Sequence, residues 1–180
     1  MQSFVWVASL LAPILLPGIL LIVVLKRGWL AQLNLPVDGG ARLGGRPVLG
    51  PTKTWRGVVI YTGGAIVVGA LLGVTGSSAP VFHEWPGALV GLLVGLAYNA
   101  GEFANSFVKR RLGVDSSTLG SLRTIQQAVD LGDGVLVVFF VYLALGVPLG
   151  LAAAAGIAGF VVHALTDVAM HALRLKSRRA

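Results

Sequence analysis

The sequence predicts an all-α integral membrane protein of about five transmembrane helices, with the N-terminus outside, the C-terminus inside and two sizeable cytoplasmic loops. Three observations predict this class. Hydrophobic residues make up 56% of the 180 residues and charged residues only 12%, which is too apolar for a soluble domain. Five apolar segments are long enough to cross a bilayer. All 14 Lys and Arg residues fall in three regions: residues 26–56, residues 109–123 and the tail from Arg174.

The predicted spans are residues 4–25, 58–74, 87–108, 134–149 and 151–173. We expect Pro13 and Pro17 to kink the first span. In the third span, Gly87, Gly91 and Gly95 form a small-residue face that could pack helices within the chain or between copies in a homo-oligomer. Only a tight turn separates the last two spans, so a re-entrant hairpin is an alternative there.

The position of the basic residues predicts the orientation. The connections at 75–86 and 146–150 and the short N-terminus contain no Lys or Arg. Under the positive-inside rule, loops 26–57 and 109–133 are therefore cytoplasmic, and the chain is one polytopic domain of the cell (cytoplasmic) membrane. We expect an anionic ligand to arrive from the cytosol. We expect no nucleic-acid partner, because the net charge of +7 resides at the membrane boundary.

A polar stripe lies at the end of the third span. On a helix, Asn99, Glu102, Ser106 and Lys109 share one face, and Lys109 opens a run of three basic residues that ends at Arg111. A carboxylate there is costly without a partner. A metal-bound phosphate would need such an oxygen ligand beside cations. The alternative is a stop-transfer signal in which Glu102 pairs with Lys109 or another neighbour.

A second pair of carboxylates stands at the cytoplasmic start of the fourth span. Asp130 and Asp133 are three residues apart, so a helix places both on one face. They could simply complement the helix dipole. Together with Glu102, they would place three acids at one leaflet among basic residues. This arrangement favours a divalent cation that bridges the protein and a phosphate.

Two further regions carry polar chemistry. Loop 26–57 contains a Gly-rich basic run in which Lys53, Thr54 and Arg56 suit phosphate and Trp55 suits a base or the headgroup level. An interfacial loop that binds anionic lipid headgroups is an equal alternative.

The fifth span carries three polar residues at spacings of four, which form either a functional site or a structural cluster. They are His163, Asp167 and His171.

Three blocks of sequence, one in the first cytoplasmic loop, one at residues 106–113 and one near the C-terminus, resemble the CDP-archaeol synthases and, more distantly, the bacterial CDP-diacylglycerol synthases. Pro36-Val-Asp-Gly-Gly and Gly45-Arg-Pro-Val-Leu-Gly-Pro-Thr-Lys-Thr-Trp-Arg-Gly57 resemble that family's first cytoplasmic loop. Ser106-Phe-Val-Lys-Arg-Arg-Leu-Gly113 resembles its next block, and the region from His163 to Lys176 resembles its C-terminal block. The positions matched in the first loop are Asp38, Arg46, Gly50, Lys53, Thr54, Trp55, Arg56 and Gly57.

The resemblance implies a membrane cytidylyltransferase. Such an enzyme transfers CMP from CTP to a lipid phosphate, either an unsaturated archaeol phosphate or phosphatidic acid, and requires Mg²⁺. Glu102, Asp130 and Asp133 would then bind the metal, and Lys109, Arg110 and Arg111 would be catalytic. The substrate-binding residues would be Asp38, Arg46, Lys53, Thr54, Trp55, Arg56, Ser106 and His163. The alternative is a non-catalytic membrane relative that binds nucleotide or anionic lipid, or a small carrier.

The chain differs from the family pattern at presumed metal and nucleotide positions. Glu102 stands where the family usually has Asp, and the block from Val129 to Asp133 lacks the family's Gln. Asp167 stands where the family commonly has Asn. A glutamate can still bind a metal, although it reaches one methylene further than an aspartate.

Overall fold

The structure, a computed structural model, describes residues 1–76, 78–113 and 123–172, with the backbone alone for 123–128, 131 and 166–172. Within these ranges the chain is mostly helical. Its elements are α1 (Gln2–Arg27), a 3₁₀ turn (Ala31–Leu33), β1 (Arg42–Leu43), β2 (Arg46–Pro47), α2 (Trp55–Val74), α3 (Val81–Glu84), α4 (Gly87–Arg111), α5 (Arg123–Ala144) and α6 (Leu149–Ala172).

The coarse prediction, a mostly helical chain with helices that could span a membrane, is confirmed. Among the residues that the structure describes, three helices, α1, α2 and α4, are long and apolar enough to cross a membrane. The other two long helices carry shorter apolar stretches, Gly132–Ala144 in α5 and Leu149–Leu165 in α6.

The turn between α5 and α6 comes earlier than the sequence predicts. α5 ends at Ala144 because Gly146 adopts a left-handed conformation with φ 87° and Pro148 lacks the backbone N–H needed to continue a helix. At its other end α5 begins at Arg123, so part of the loop predicted over residues 109–133 is helical. The fourth helix therefore starts further toward the predicted cytoplasmic side than the sequence predicts. Both Asp130 and Asp133 lie within it, not in the loop before it.

The helices α2 and α4 cross in backbone contact through glycines. A Cβ atom at Gly91 would overlap the carbonyl of Ala65, and one at Gly95 would lie 2.8 Å from the Cα of Thr62. Asn99 continues this interface, because its side-chain amide donates to the Thr62 hydroxyl at 3.2 Å. The small-residue face predicted in the third span is therefore used within the chain.

Two buried tyrosines tie α1 to the rest of the bundle. The hydroxyl of Tyr142 donates to the carbonyl of Leu10, and that of Tyr61 donates to the carbonyl of Ile14, each at 2.6 Å. Each carbonyl stands three residues before one of the two buried prolines inside α1. Because a proline disturbs the hydrogen bonding of the preceding turn, a side-chain donor stabilises the helix at that point.

The loop between α1 and α2 is closed at its base by backbone pairing. The N–H of Val37 donates to the carbonyl of Lys53 at 2.9 Å, and the N–H of Trp55 donates to the carbonyl of Leu35 at 3.0 Å. This pairing fixes the backbone at Lys53 just before α2 begins. Beyond the closure, β1 and β2 form a two-stranded antiparallel hairpin.

Candidate active site

Asp38 organises the Gly-rich loop. Its carboxylate accepts hydrogen bonds from the N–H groups of Gly40 at 3.0 Å, Leu49 at 2.8 Å and Gly50 at 3.3 Å. Desolvation raises the pKa of Asp38, but the N–H donors of Leu49, Gly40 and Gly50 outweigh it and hold the pKa below the ordinary value. Asp38, predicted to bind substrate, therefore shapes the loop as an ionised acceptor of backbone hydrogen bonds.

Lys53 reaches from this loop to α4. Its ammonium group donates to the carboxylate of Glu102 at 2.6 Å, and both side chains are partly exposed. The pair joins the Gly-rich loop to the polar stripe predicted at the end of the third span. It also holds Lys53, which is predicted to bind phosphate, against Glu102, which is predicted to bind the metal.

The approach of α4 to α5 brings the acids together. A Cβ atom at Gly101 would overlap the carbonyl of Asp133, and one at Gly134 would lie 2.6 Å from the ring of Tyr98. The two helices can therefore cross this closely only because both positions are glycine. Glu102 and Asp133 each adjoin one of these glycines, and both Glu102 and Lys53 act electrostatically on Asp133.

Asn105 bridges the two aspartates of α5. Its side-chain amide nitrogen donates at 2.7 Å to Asp130 and at 2.7 Å to Asp133. Lys109, one turn further along α4, forms an ion pair with Asp130. Asn105 was not among the site residues predicted from the sequence. Its spacing of three from Glu102 and four from Lys109 places it on the same helix face and was the signal that could have identified it.

The two arginines Arg46 and Arg111 fasten the hairpin to the end of α4. Arg111 donates to the carbonyls of Leu43, Arg46 and Pro47, and Arg46 in turn donates to the carbonyl of Arg111. The guanidinium of Arg111 also lies over the ring of Phe107, 5.2 Å from its centroid. Both arginines, predicted to act on substrate, thus have structural partners that hold the loop over the site.

Two other predicted residues, Arg110 and Arg56, border the loop. Arg110 is 7% exposed and lies beside Gly50, where φ is 94° and a Cβ atom would stand 3.2 Å from the Arg110 Nε. Arg56 donates to the carbonyl of Trp29 at 3.4 Å and to the side chain of Asn34 at 3.2 Å. These contacts place both guanidiniums at the inner edge of the loop.

The structure also locates Thr54, Trp55, Ser106 and His163. Thr54 precedes the first residue of α2, and the indole of Trp55 is 46% exposed. Ser106 is buried in α4. His163 lines a cavity of about 280 Å³ enclosed by α1, α2, α4, α5 and α6, together with Glu102. The predicted partners of His163, Asp167 and His171, have side chains outside the described residues.

The three predicted metal ligands differ in how well they fit a shared ion. Among the residues with described side chains, no three acids or histidines lie close enough together to hold a metal. Asp130 and Asp133 nevertheless point at one hydrogen-bond donor, so a small cation between them would meet two hard oxygen ligands, which suits Mg²⁺. Glu102 is turned to Lys53 and would have to leave it to join them.

Comparisons with known proteins agree on one family. A model of the cytidylyltransferase family matches residues 39–120. The chain is 34% identical over 147 residues to a CDP-archaeol synthase from Hyperthermus butylicus, covering 78% of this chain and 79% of that protein. It is 32% identical over 151 residues to one from Halobacterium salinarum, covering 80% and 78%. For one from Methanosphaerula palustris the identity is 38% over 112 residues, covering 59% and 63%. No solved structure matches the chain.

Proposed function

This chain belongs to the CDP-archaeol synthase family, and from that membership we propose that it transfers CMP from CTP to a lipid phosphate and releases pyrophosphate. The observation that carries the site assignment is the meeting of two Lys–carboxylate pairs around one bridging amide at the α4–α5 crossing. An oxygen of the lipid phosphate attacks the α-phosphorus of CTP. The new P–O bond forms as the bond to the β-phosphate oxygen breaks, and a CDP-lipid results.

The described contacts suggest how the site receives its charged substrates. Lys53 and Lys109 each hold a carboxylate, so an arriving phosphate can take over either ammonium group without a large movement of the chain. Two anionic phosphates must approach each other, and cations that neutralise them lower the barrier more than any covalent chemistry would. Arg110 and Arg56 lie at the inner edge of the loop, where they extend this basic shell.

We assign Mg²⁺ to the carboxylates of Glu102, Asp130 and Asp133. When bound there, the ion would neutralise charge on the phosphates that react. Asp130 and Asp133 are already held together by Asn105, while Glu102 becomes available once Lys53 turns to a phosphate. In the absence of the ion, the lysines and Asn105 keep the three carboxylates satisfied.

The remaining side chains of the site position the substrates. Arg46 and Arg111 hold the loop closed over α4, and Asp38 holds its glycines in the left-handed turns that the loop needs. Trp55 is exposed at the start of α2, where it can stack on the cytosine base or anchor the membrane surface. His163 borders the inner cavity below Glu102.

The five long helices form one polytopic domain in the cell membrane, with the N-terminus outside and the site open to the cytosol. Two facts support this arrangement. The basic residues all fall in the two loops and tail that it places inside, and the candidate site lies among them. CTP would then arrive from the cytosol, and the lipid phosphate would arrive laterally within the inner leaflet.

The reaction is tested by incubating purified protein with labelled CTP and Mg²⁺ and a panel of lipid phosphates. The panel contains an unsaturated archaeol phosphate and phosphatidic acid, and the product is a labelled CDP-lipid. We expect E102Q to lower turnover at least 100-fold, because a neutral amide binds Mg²⁺ more weakly than a carboxylate does, and the charge on the reacting phosphates is then less well neutralised. E84Q, at an exposed position of the short helix α3, is the matched control and should leave turnover unchanged.

Each outcome of this experiment distinguishes the enzyme from its rivals. A CDP-lipid product that EDTA abolishes supports the transferase and its metal, and the panel identifies the lipid. Binding of CTP without product for any lipid contradicts the enzyme and indicates a binding relative. Full turnover in E102Q contradicts the role given to Glu102 and leaves the family membership intact.

A further inference from the structure

An apolar groove of about 720 Å³ runs along the outside of the bundle between α5 and α6. We propose that it holds one hydrocarbon chain of the lipid phosphate that the proposed function requires. α5 contributes Leu136 and Phe139 to its wall, and α6 contributes Ile157 and Phe160. Of the residues that line it, Asp133 is the one with a charged side chain. The groove is therefore apolar along its length and polar at a single point.

Asp133, the polar point of the groove, belongs to the cluster of side chains in which we place the reaction. Asp133 shares the amide of Asn105 with Asp130, and Asp130 is paired with Lys109. A chain lying in the groove would therefore have its phosphate within reach of Lys109 and of the assigned metal ligands. Apolar faces on a membrane helix ordinarily meet bulk lipid. This groove is distinguished by having Asp133 in its wall, beside the cluster that the reaction uses.

The length of the groove suits one chain of one leaflet. Its lining on α5 extends from Val129 to Phe139, about ten residues or about 15 Å of helix rise. That is about half of the roughly 30 Å hydrocarbon core of a bilayer. A chain that starts with its phosphate at the cytoplasmic surface would extend along α5 toward the bilayer centre.

The inner cavity is the competing location for the chain. It also reaches Glu102, but its volume of about 280 Å³ is less than half that of the groove. It is bordered by five helices and is more enclosed than the groove. The groove, bordered by two helices on the outside of the bundle, is directly accessible from the membrane. These differences favour the groove.

Two glycines allow a matched test of the two locations. Gly156 lines the groove, and the nearest atom to a Cβ built there is in Phe139 at 4.0 Å. Gly18 lines the inner cavity, and the nearest atom to its Cβ is in Tyr61 at 3.8 Å. Both positions therefore accept a Cβ without overlap, and G156L and G18L each add the same side chain to one of the two spaces.

We expect G156L to raise KM for a long-chain lipid phosphate at least tenfold while KM for CTP stays unchanged. With a short-chain lipid phosphate, whose chains do not fill the groove, G156L should match the wild-type protein. G18L should leave both KM values at the wild-type level. An unchanged long-chain KM in G156L, an equal rise with the short-chain substrate, or a rise in G18L alone would each overturn the assignment.

A second measurement tests the groove without relying on turnover or on a variant. A lipid phosphate with a photoreactive diazirine near the end of one chain is cross-linked to the wild-type protein, and the labelled peptides are identified by mass spectrometry. Labels on the groove-facing parts of α5 and α6 support the assignment, and labels confined to α1 and α2 overturn it. Labelling in the groove by a protein that makes no CDP-lipid would contradict the proposed function alone.

Discussion

Asn105 is the residue on which the candidate site depends in the absence of a ligand. One neutral amide donates to two carboxylates, and the second of these also adjoins the close crossing of α4 and α5. Without this donor, Asp130 and Asp133 would face each other with one fewer shared hydrogen bond, and their like charges would repel. The amide therefore occupies the position between the two carboxylates, where a bound cation would stabilise them more strongly.

We predict that N105A makes the stability of the protein depend on Mg²⁺. In EDTA the variant should unfold at a lower temperature than wild type, because two carboxylates lose their common donor, at a cost of about 1–3 kcal/mol. Added Mg²⁺ should restore most of the loss by binding the same oxygens. The measurement is thermal unfolding of the detergent-purified protein with and without Mg²⁺.

The control for this prediction is N99A on the same helix. Asn99 donates to Thr62 and to the carbonyl of Gly95, away from the acids, so its loss of stability should be the same in EDTA and in Mg²⁺. An equal Mg²⁺ response in both variants would contradict the metal assignment to Asp130 and Asp133.

The types of residue in the site could be predicted from sequence, but their pairing could not. Helical spacing placed Glu102 and Lys109 on one face, and an ion pair between them was one of the alternatives it offered. In the structure Glu102 pairs with Lys53, 49 residues earlier, and Lys109 pairs with Asp130 on the next helix. Periodicity reports which face of a helix a residue occupies, whereas the partner depends on which elements pack against that face.

At the scale of elements, α4 is the helix that positions the site. Its first half packs on α2 through Gly87, Gly91 and Gly95, and its second half packs on α5 through Gly101. The loop before α2 is then brought over α4 by Lys53 and by the arginine contacts at the helix end. The α2–α4 and α4–α5 crossings determine the geometry of the site, because they set the distances between the helix backbones that carry the side chains of the site.

We predict that G91A disrupts the α2–α4 crossing. The added methyl group would overlap the carbonyl of Ala65, so the helices must separate, at a cost of about 2 kcal/mol or more. G63A in α2 is the matched control, since nothing lies within 4 Å of a Cβ there, and it should be neutral or stabilising by up to about 1 kcal/mol. Thermal unfolding in detergent compares the two. Equal stability of both variants would show that this crossing tolerates a wider spacing.

Helix bounds illustrate where element-level prediction stops. Apolar composition located all five long helices, but it placed the end of the fourth at residue 149 rather than at Ala144. The hydrophobic run continues through Leu145 and Val147, so hydrophobicity alone gives no signal at the true end, although Gly146 and Pro148 already indicated a turn over residues 146–150. Backbone conformation does, because Gly146 is left-handed and Pro148 cannot continue the helix.

For the whole molecule, the arrangement of charge argues for a site at one membrane surface. The ion pairs Lys53–Glu102 and Lys109–Asp130 and the arginines around them all lie at the ends of the helices that border loop 26–57. Charge at the opposite ends is sparse: His83 and Glu84 lie in the short α3, and the connection between α5 and α6 has no charged residue. A catalytic site for two anionic substrates belongs on the basic side.

This asymmetry predicts the topology of the protein in a cell membrane. The chain contains no cysteine, so single cysteines can be introduced without background labelling. Gly76 and Gln32 are both exposed and lie at opposite ends of α2, one after its last turn and one before its first. In intact cells, a membrane-impermeant maleimide should label G76C and leave Q32C unlabelled until the membrane is opened. The reverse pattern would place loop 26–57 outside, where no CTP reaches it, and would contradict both the orientation and a cytosolic site.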